Sequence, residues 1–376
     1  VIRRLLAASV LLAVLPTSAL AESVLVDPGG GGDYTDIWRA LWYTPAGDTV
    51  FVVAGTYSGE YNRNLTFHGK DIVLVSQAGP GLTVIDAEGA APCFHFEDGE
   101  TPAAVVSGFT IMNGYSGYGA GIRCMNGSSP TITNCYITDC TATQASNGGG
   151  GLSCSSGASP VVSDVVFSRN QGERGGAVFS CGGGAPLLTN VRFEENTAET
   201  RGGGWACETP GTVLTIAGCV FLGNTVTEPG GWGGGLSVIG SSALITGTTF
   251  AENGASDGGC VWADNDASAT IENSILAFST EGGAEGGYGS LTTTECVVFG
   301  NVGGDDLMGD FSEIINEDPR FCDIYAGDLT LCANSICLPE NNTWGDLVGA
   351  LGEGCEACDS PAEVSSWSAI KAMYKE

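Results

Sequence analysis

The stretch Ser159-Pro160-Val161-Val162-Ser163-Asp164-Val165-Val166-Phe167-Ser168-Arg169-Asn170 decides the fold, because close variants of it return along the chain at nearly constant period. Val162 is matched by Val106, Ile132, Leu188, Ile216, Ile245 and Ile271, all aliphatic. Two residues on, Asp164 is matched by Gly108, Asn134, Asn190, Gly218, Gly247 and Asn273, the residue types that tolerate a left-handed turn. Beyond that turn an inward set follows at Phe109, Cys135, Val165, Val191, Cys219, Thr248 and Ser274. It continues at Ile111, Ile137, Phe167, Phe193, Phe221, Phe250 and Leu276. The period of two reads as strand. The positions between them, such as Tyr136, Val166, Arg192, Val220, Thr249 and Ile275, are solvent-tolerant or β-branched.

Four copies place Asn three residues after Phe, at Asn170, Asn196, Asn224 and Asn253. Polar loops then lead to glycine clusters at 148–151, 175–176, 202–204, 233–235 and 258–259. The Phe-equivalent positions recur every 26 to 30 residues. A unit this short cannot bury its own apolar face, so the copies must stack into one core. With strands in every copy, the solution is an all-β solenoid, a right-handed parallel β-helix with coils about 4.8 Å apart. Aliphatic and Phe ladders fill its interior, and the repeated Asn satisfies turn backbone. A flexible Gly-rich linker, the competing interpretation of 59 glycines in 376 residues, does not hold aliphatic residues in register over seven copies.

Thirteen Lys and Arg stand against 43 Asp and Glu, a formal net charge of −30. That balance argues against nucleic acid as a partner. It keeps a stacked β protein soluble and discourages end-to-end association, so a monomer is expected. Val1-Ile2-Arg3-Arg4, the apolar run from Leu5 to Leu15 and the small-residue site Ser18-Ala19-Leu20-Ala21 have the form of a bacterial-type signal peptide over 1–21. No later stretch has the ~20 apolar residues of a membrane span. The expected location is therefore secreted or cell-surface. Fifteen cysteines fit an oxidising compartment. Cys135, Cys219 and Cys296 fall on inward positions as apolar filler. Cys124 and Cys154 belong on adjacent coils, where a bridge is open to test. His68 and His95 are the only histidines and no cysteine pair stands at zinc spacing with them, so no metal site is expected.

Four segments follow: the leader 1–21, an N-terminal extension and cap helix over 22–48, the β-helix over 49–301, and a C-terminal cap and tail over 302–376. Ile37, Leu41 and Trp42 can share one face of a cap helix over the first coil. Cys322, Cys332, Cys337, Cys355 and Cys358 are expected to staple a loop-rich C-terminal end, with the pairing open. A short amphipathic stretch follows at 367–374. The helical opening, Gly47-Asp48-Thr49-Val50, Gly55-Thr56-Tyr57 and Phe109-Thr110-Ile111-Met112-Asn113-Gly114 resemble the pectate-lyase-like right-handed β-helix superfamily. Gly175-Gly176-Ala177-Val178 and the four Phe-x-x-Asn units resemble repeats of polymorphic outer membrane proteins. The superfamily resemblance implies the fold and admits carbohydrate-active relatives, lyases with a basic residue and calcium among them, but sites decide function.

Hydrolysis of a glycoside needs two carboxylates about 5 to 9.5 Å apart, here acids at equivalent outward positions one or two coils apart. After the glycine corners the acids are Glu208, Asp264 and Asp266, with none in Leu236-Ser237-Val238-Ile239 between them. Glu173 with Arg174 and Glu199 with Arg201 read as solvated loop charges. Asp305, Asp306 and Asp310 have the chemistry of calcium ligands, although a polar loop is the simpler reading. No catalytic residue is assigned. Trp205, Trp232 and Trp262 sit beside glycine corners, with Glu228 and Asp257 in the loops entering them. Together these five make a candidate carbohydrate platform, in which aromatic rings stack on sugars and acids fix hydroxyls. The competing placement packs Trp205 and Trp262 inward or between corners. The expected function is a non-enzymatic surface protein that binds a polysaccharide or glycan or acts as an adhesin or structural component. The alternative is a lyase or hydrolase of an acidic polysaccharide.

Overall fold

The computed structural model describes residues 23–144, 148–208, 210–280, 283–286, 289–302, 304–305 and 307–358. The expected leader, Asp306 and the amphipathic stretch at 367–374 lie outside the described residues.

The chain winds into a right-handed β-solenoid of about 12 turns. Its longest ladder is parallel throughout and runs from Ser23–Val26 through Thr49–Val52, Val161–Ser168 and Ser242–Thr246 to Asp310–Ile315. It therefore starts before the helix and continues past Asn301, beyond the expected limits of 49–301 at both ends. A second, eight-stranded sheet runs from Phe94–Phe96 to Ala284–Gly286, and a third of five strands includes Gln171–Arg174 and Thr197–Arg201.

The register follows the sequence pattern. Val106, Ile132, Val162, Leu188, Ile216, Ile245 and Ile271 are successive ladder partners and all are fully buried. The turn position two residues on has positive φ in all seven copies, from 47° at Asn273 to 85° at Gly108. Phe167, Phe193, Phe221 and Phe250 stack with ring centroids 5.6, 4.3 and 4.7 Å apart. Beside them the Asn residues form a continuous ladder. The Nδ2 of Asn170, Asn196 and Asn224 donates to Oδ1 of the Asn one coil on, at 3.0, 2.9 and 2.9 Å. Each Nδ2 also donates to a carbonyl one coil back, those of Ile137, Phe167 and Phe193. Leaving such buried groups unpaired costs ~1 to 3 kcal/mol each, so the column holds the turns in register. Asn301 extends the motif, accepting from the Ser279 N–H and donating to Leu276 O.

A second left-handed column was not legible. Asp139, Arg169, Glu195, Glu252 and Phe278 have φ between 51° and 57°. These residue types do not announce the conformation; ladder hydrogen bonds from their N–H groups to the next coil impose it.

The cap helix is Ile37–Tyr43, with Asp36 as N-cap accepting from the Arg39 N–H. Ile37, Ala40 and Leu41 are buried. Trp42 is not on that face. It is 49% exposed and stacks on Trp38, because five residues carry it about 140° round the helix from Ile37. Lys70 closes the helix C-terminus by donating from Nζ to the carbonyls of Leu41, Trp42 and Thr44.

The C-terminal segment lies along the flank of the coils rather than only over their end. Its strands Phe321–Asp323, Asp328–Cys332 and Glu353–Cys355 form a small sheet, tied by Cys322–Cys355 and Cys332–Cys358 disulfides. Leu331, Cys337, Leu338 and Val348 pack on Ile275, Ala277 and Val297, while Leu329 packs on Val220, Leu222 and Ala251. The second-strand outward column, Tyr136 and Arg192 early on, becomes Val220, Thr249, Ile275 and Val297, each no more than 2% exposed. Its drift toward apolar residues marks the docking face. Cys124 and Cys154 are ladder partners as expected, and both are free thiols, as is the buried Cys337.

Candidate functional site

Each coil leaves the third sheet through a glycine corner that folds the chain back over the second sheet. At Gly202, Gly233 and Gly258, φ is 63°, 67° and 59°, and a Cβ would meet the carbonyl oxygen of Trp205, Leu236 and Val261 at 2.5, 2.5 and 2.7 Å. Only glycine allows this approach. Phe179, Ala206 and Ser237 stand at the central register position of the second sheet and are buried, whereas Trp262, next in that column, is half-buried.

Just before the corners a column of residues forms across four coils: Arg174, Arg201, Trp232 and Asp257 are successive partners. Glu208 and Asp264 end second-sheet strands, and the coil between them offers Ile239. Arg174 Nη1 lies 2.9 Å from Glu208 Oε2, and Arg201 Nε lies 3.4 Å from Glu208 Oε1. The Arg201 guanidinium sits 5.4 Å from the Trp232 ring centroid, a cation–π contact. Trp232 in turn stacks on Trp262, with centroids 5.8 Å apart at 15°. Burial pushes the Arg201 guanidinium below its ordinary value, against the opposing pull of Glu208 and with added repulsion from Arg174. Burial also raises the Glu173 carboxyl, opposed by Arg174 and Arg201 and reinforced by Glu199 and Glu228 on neighbouring coils. Trp262 Nε1, Ser237 Oγ, Arg174 Nε and Arg201 Nε are buried without a hydrogen-bond partner among the described residues.

The sequence-derived platform is thus partly assembled. Trp232, Trp262 and Asp257 come together. Trp205 does not join them: it follows Val178 and precedes Leu236 in the inward column, is fully buried, and donates from Nε1 to Ser180 Oγ at 3.1 Å. Its indole fills the core, as the competing placement had it. Glu228 is exposed in the loop that leads into Trp232, four residues before it, where its backbone N–H donates to Glu199 O. Arg174 and Arg201, read as solvated loop charges, are instead half-buried and share Glu208. Spacing could not reveal that pairing, because Arg174 and Glu208 are 34 residues apart and meet only through the glycine fold-back.

A separate polar group surrounds His95, which pairs with Arg123 in the stack, donates its backbone N–H to Leu65 O and lies 3.2 Å from Glu97 Oε2. Burial lowers its pKa, and Glu97 opposes that shift. Of the acids weighed for calcium, Asp305 accepts from the Gly300 and Asn301 N–H groups, and Asp310 is exposed at the start of the last ladder strand.

Comparison with known proteins places the architecture. A family described as right handed beta helix region matches residues 91–255. Pectate lyase Pel9A superposes with a TM-score of 0.53 at 12% identity, covering 89% of this chain and 97% of that one. Pectin methylesterase from carrot (TM-score 0.40, 12% identity, 80% of this chain and 90% of that one) and the PL6 family alginate lyase AlyGC (0.34, 14%, 85% and 52%) are more distant. No curated protein matches the sequence. At such identities what is shared is the fold, a right-handed β-helix.

Proposed function

We propose that the chain is a non-enzymatic carbohydrate-binding protein, and that its ligand is a neutral glycan taken up at the Trp232–Trp262 pair. The observation that carries this is the stacked indole pair, with Arg201 over the Trp232 ring and Asp257 next to Trp232 in the column. An indole face offers a sugar apolar C–H contact area at little conformational cost. Asp257, Asp264 and the two arginines supply hydroxyl partners. The unused hydrogen-bonding capacity at Trp262 Nε1 and Ser237 Oγ adds to the polar surroundings.

Charge selects against a polyanion. Glu173, Glu208 and Asp264 act with Arg174 on Arg201, so the corner carries more acid than base, on a chain of net charge −30. Catalysis is disfavoured by how Glu208 is held. Both of its oxygens face guanidinium groups, and the next acid in its column, Asp264, stands two coils on with Ile239 between. Two coils correspond to about 9.6 Å of backbone separation, at the wide limit for an inverting pair.

The test is to incubate the full chain with neutral and acidic polysaccharides, with and without calcium, and to follow retention and oligosaccharide release by mass spectrometry. Retention of a neutral polymer without release is expected. Release of unsaturated or hydrolysed fragments would establish the enzyme alternative instead.

A further inference from the structure

The two ends of the solenoid are finished differently. At the first coil the helix Ile37–Tyr43 packs Ile37, Ala40 and Leu41 onto the core, and all three are buried. At the other end the last ladder strand, Asp310–Ile315, pairs on one side with Ser290–Phe299, and among the described residues no strand pairs with its outer edge. Its inward positions show the consequence. Phe311 continues the buried column of Ile271 and Thr293, yet it is 60% exposed. Ile314 follows the buried Cys296 and is only half-buried, and Met308 in the same coil is exposed. An uncovered core and an unpaired edge invite association, which is why the terminal coils of a solenoid need caps.

The sequence carries a second amphipathic segment close to that end. Cys358 is held by Asn334, whose Nδ2 donates to its carbonyl at 2.9 Å, and Asn334 shares a cleft with Phe299, Asn316 and Glu317, where the last strand ends. From Cys358, residues 359–366 can reach up to about 26 Å, more than the ~20 Å of a strand such as Asp310–Ile315. Residues 367–374 then read Trp-Ser-Ala-Ile-Lys-Ala-Met-Tyr. On a helix Trp367, Ile370, Met373 and Tyr374 share one face, and Lys371 and Lys375 lie together along its border.

Charge chooses between this segment and a second copy of the chain. Residues 304–319 contain six acids and no Lys or Arg, and Lys371 and Lys375 are the only bases after Arg320. Asp310, Glu313 and Glu317 are exposed around the open end. A second copy would bring the same acidic rim, which opposes end-to-end pairing, whereas residues 371 and 375 bring the opposite sign. We propose that residues 367–374 cap the C-terminal end of the solenoid as a short amphipathic helix, with Trp367, Ile370 and Met373 over Phe311 and Ile314 and the two lysines toward Asp310 and Glu313. The segment closes the Asp310–Ile315 edge to strands of other chains, and it does so independently of any glycan.

The test treats the full chain with a water-soluble carbodiimide, which joins a lysine amine directly to a carboxylate. Links are mapped by mass spectrometry in an equal mixture of isotope-labelled and unlabelled chains. The expected links join Lys371 or Lys375 to Asp310, Glu313 or Glu317 within one chain. Amide exchange is followed in parallel. In Trp367→Ser/Ile370→Ser, exchange at 310–315 should quicken on the order of tenfold, while exchange at Thr131–Thr138 stays as in the wild type. Should the double variant fail to fold, the links in the wild-type chain decide. Links from these lysines that only join labelled to unlabelled chains would overturn the proposal in favour of a second copy. No link from either lysine to these acids, or unchanged exchange at 310–315 in the folded variant, would overturn it outright.

Discussion

Two columns run through the same coils and differ in almost every respect. Inside, Asn170, Asn196, Asn224 and Asn253 repeat one residue type, are fully buried, and hydrogen-bond to each other and to backbone. Outside, Arg174, Arg201, Trp232 and Asp257 share a register position but pass from arginine to indole to carboxylate along the stack, and leave Arg174 Nε and Arg201 Nε without hydrogen-bond partners among the described residues. A stack of identical coils needs identical solutions to the same buried-backbone problem, so uniformity marks stability. Where the side chain varies along the stack while the backbone does not, the position is free to carry chemistry.

The comparison breaks most visibly at the inner column. Asn224→Ala leaves Phe193 O and the Asn196 N–H without their partners, and a loss of about 4 kcal/mol is expected, read as a lowered denaturation midpoint with unchanged slope. Next comes the flank. Cys322→Ser removes one staple of the module covering Ile275 and Val297, and should cost about 3 kcal/mol in urea unfolding while exposing that face to a hydrophobic dye. At the outer column the order of effects reverses. Trp232→Ala should cost less than about 1 kcal/mol of stability, yet weaken retention of a neutral glycan about tenfold. Loss of stability there comparable to Asn224→Ala would erase the distinction between the columns.

The smallest effect belongs to a surface pair outside both. Arg169 hydrogen-bonds Asp139 from the adjacent coil and holds its carboxyl below the usual aspartate value. A depressed carboxylate contributes stability above the unfolded pKa of about 3.9, and the contribution vanishes as pH falls through the folded value. The stability difference between the wild type and Arg169→Ala should therefore be constant above about pH 5 and close below about pH 4.

What was legible followed from repetition. The aliphatic column, the turn column at Asp164 and its equivalents, the Phe stack and the Asn ladder each announce themselves by identity at fixed spacing. The left-handed column through Arg169, Glu195 and Phe278 did not, since ladder hydrogen bonds rather than residue preference impose it. Trp205 was equally opaque, because a glycine corner beside it says nothing about which face of the next strand it occupies. Its register with Val178 and Leu236 does. The Glu208 pairing with Arg174 and Arg201 arises between coils, through a fold-back that no local pattern encodes. The flank covered by the C-terminal module was written in the drift from Tyr136 to Val220, Ile275 and Val297, but only the docked strands give that drift a meaning.

The most direct measurement of the central claim is the affinity of a retained neutral oligosaccharide for three forms of the full chain: wild type, the Trp232→Ala/Trp262→Ala double variant, and Trp42→Ala on the exposed cap helix. Binding lost in the double variant, kept in Trp42→Ala and accompanied by wild-type melting is the predicted result. Binding that survives loss of both indoles, or that disappears with Trp42, would contradict it.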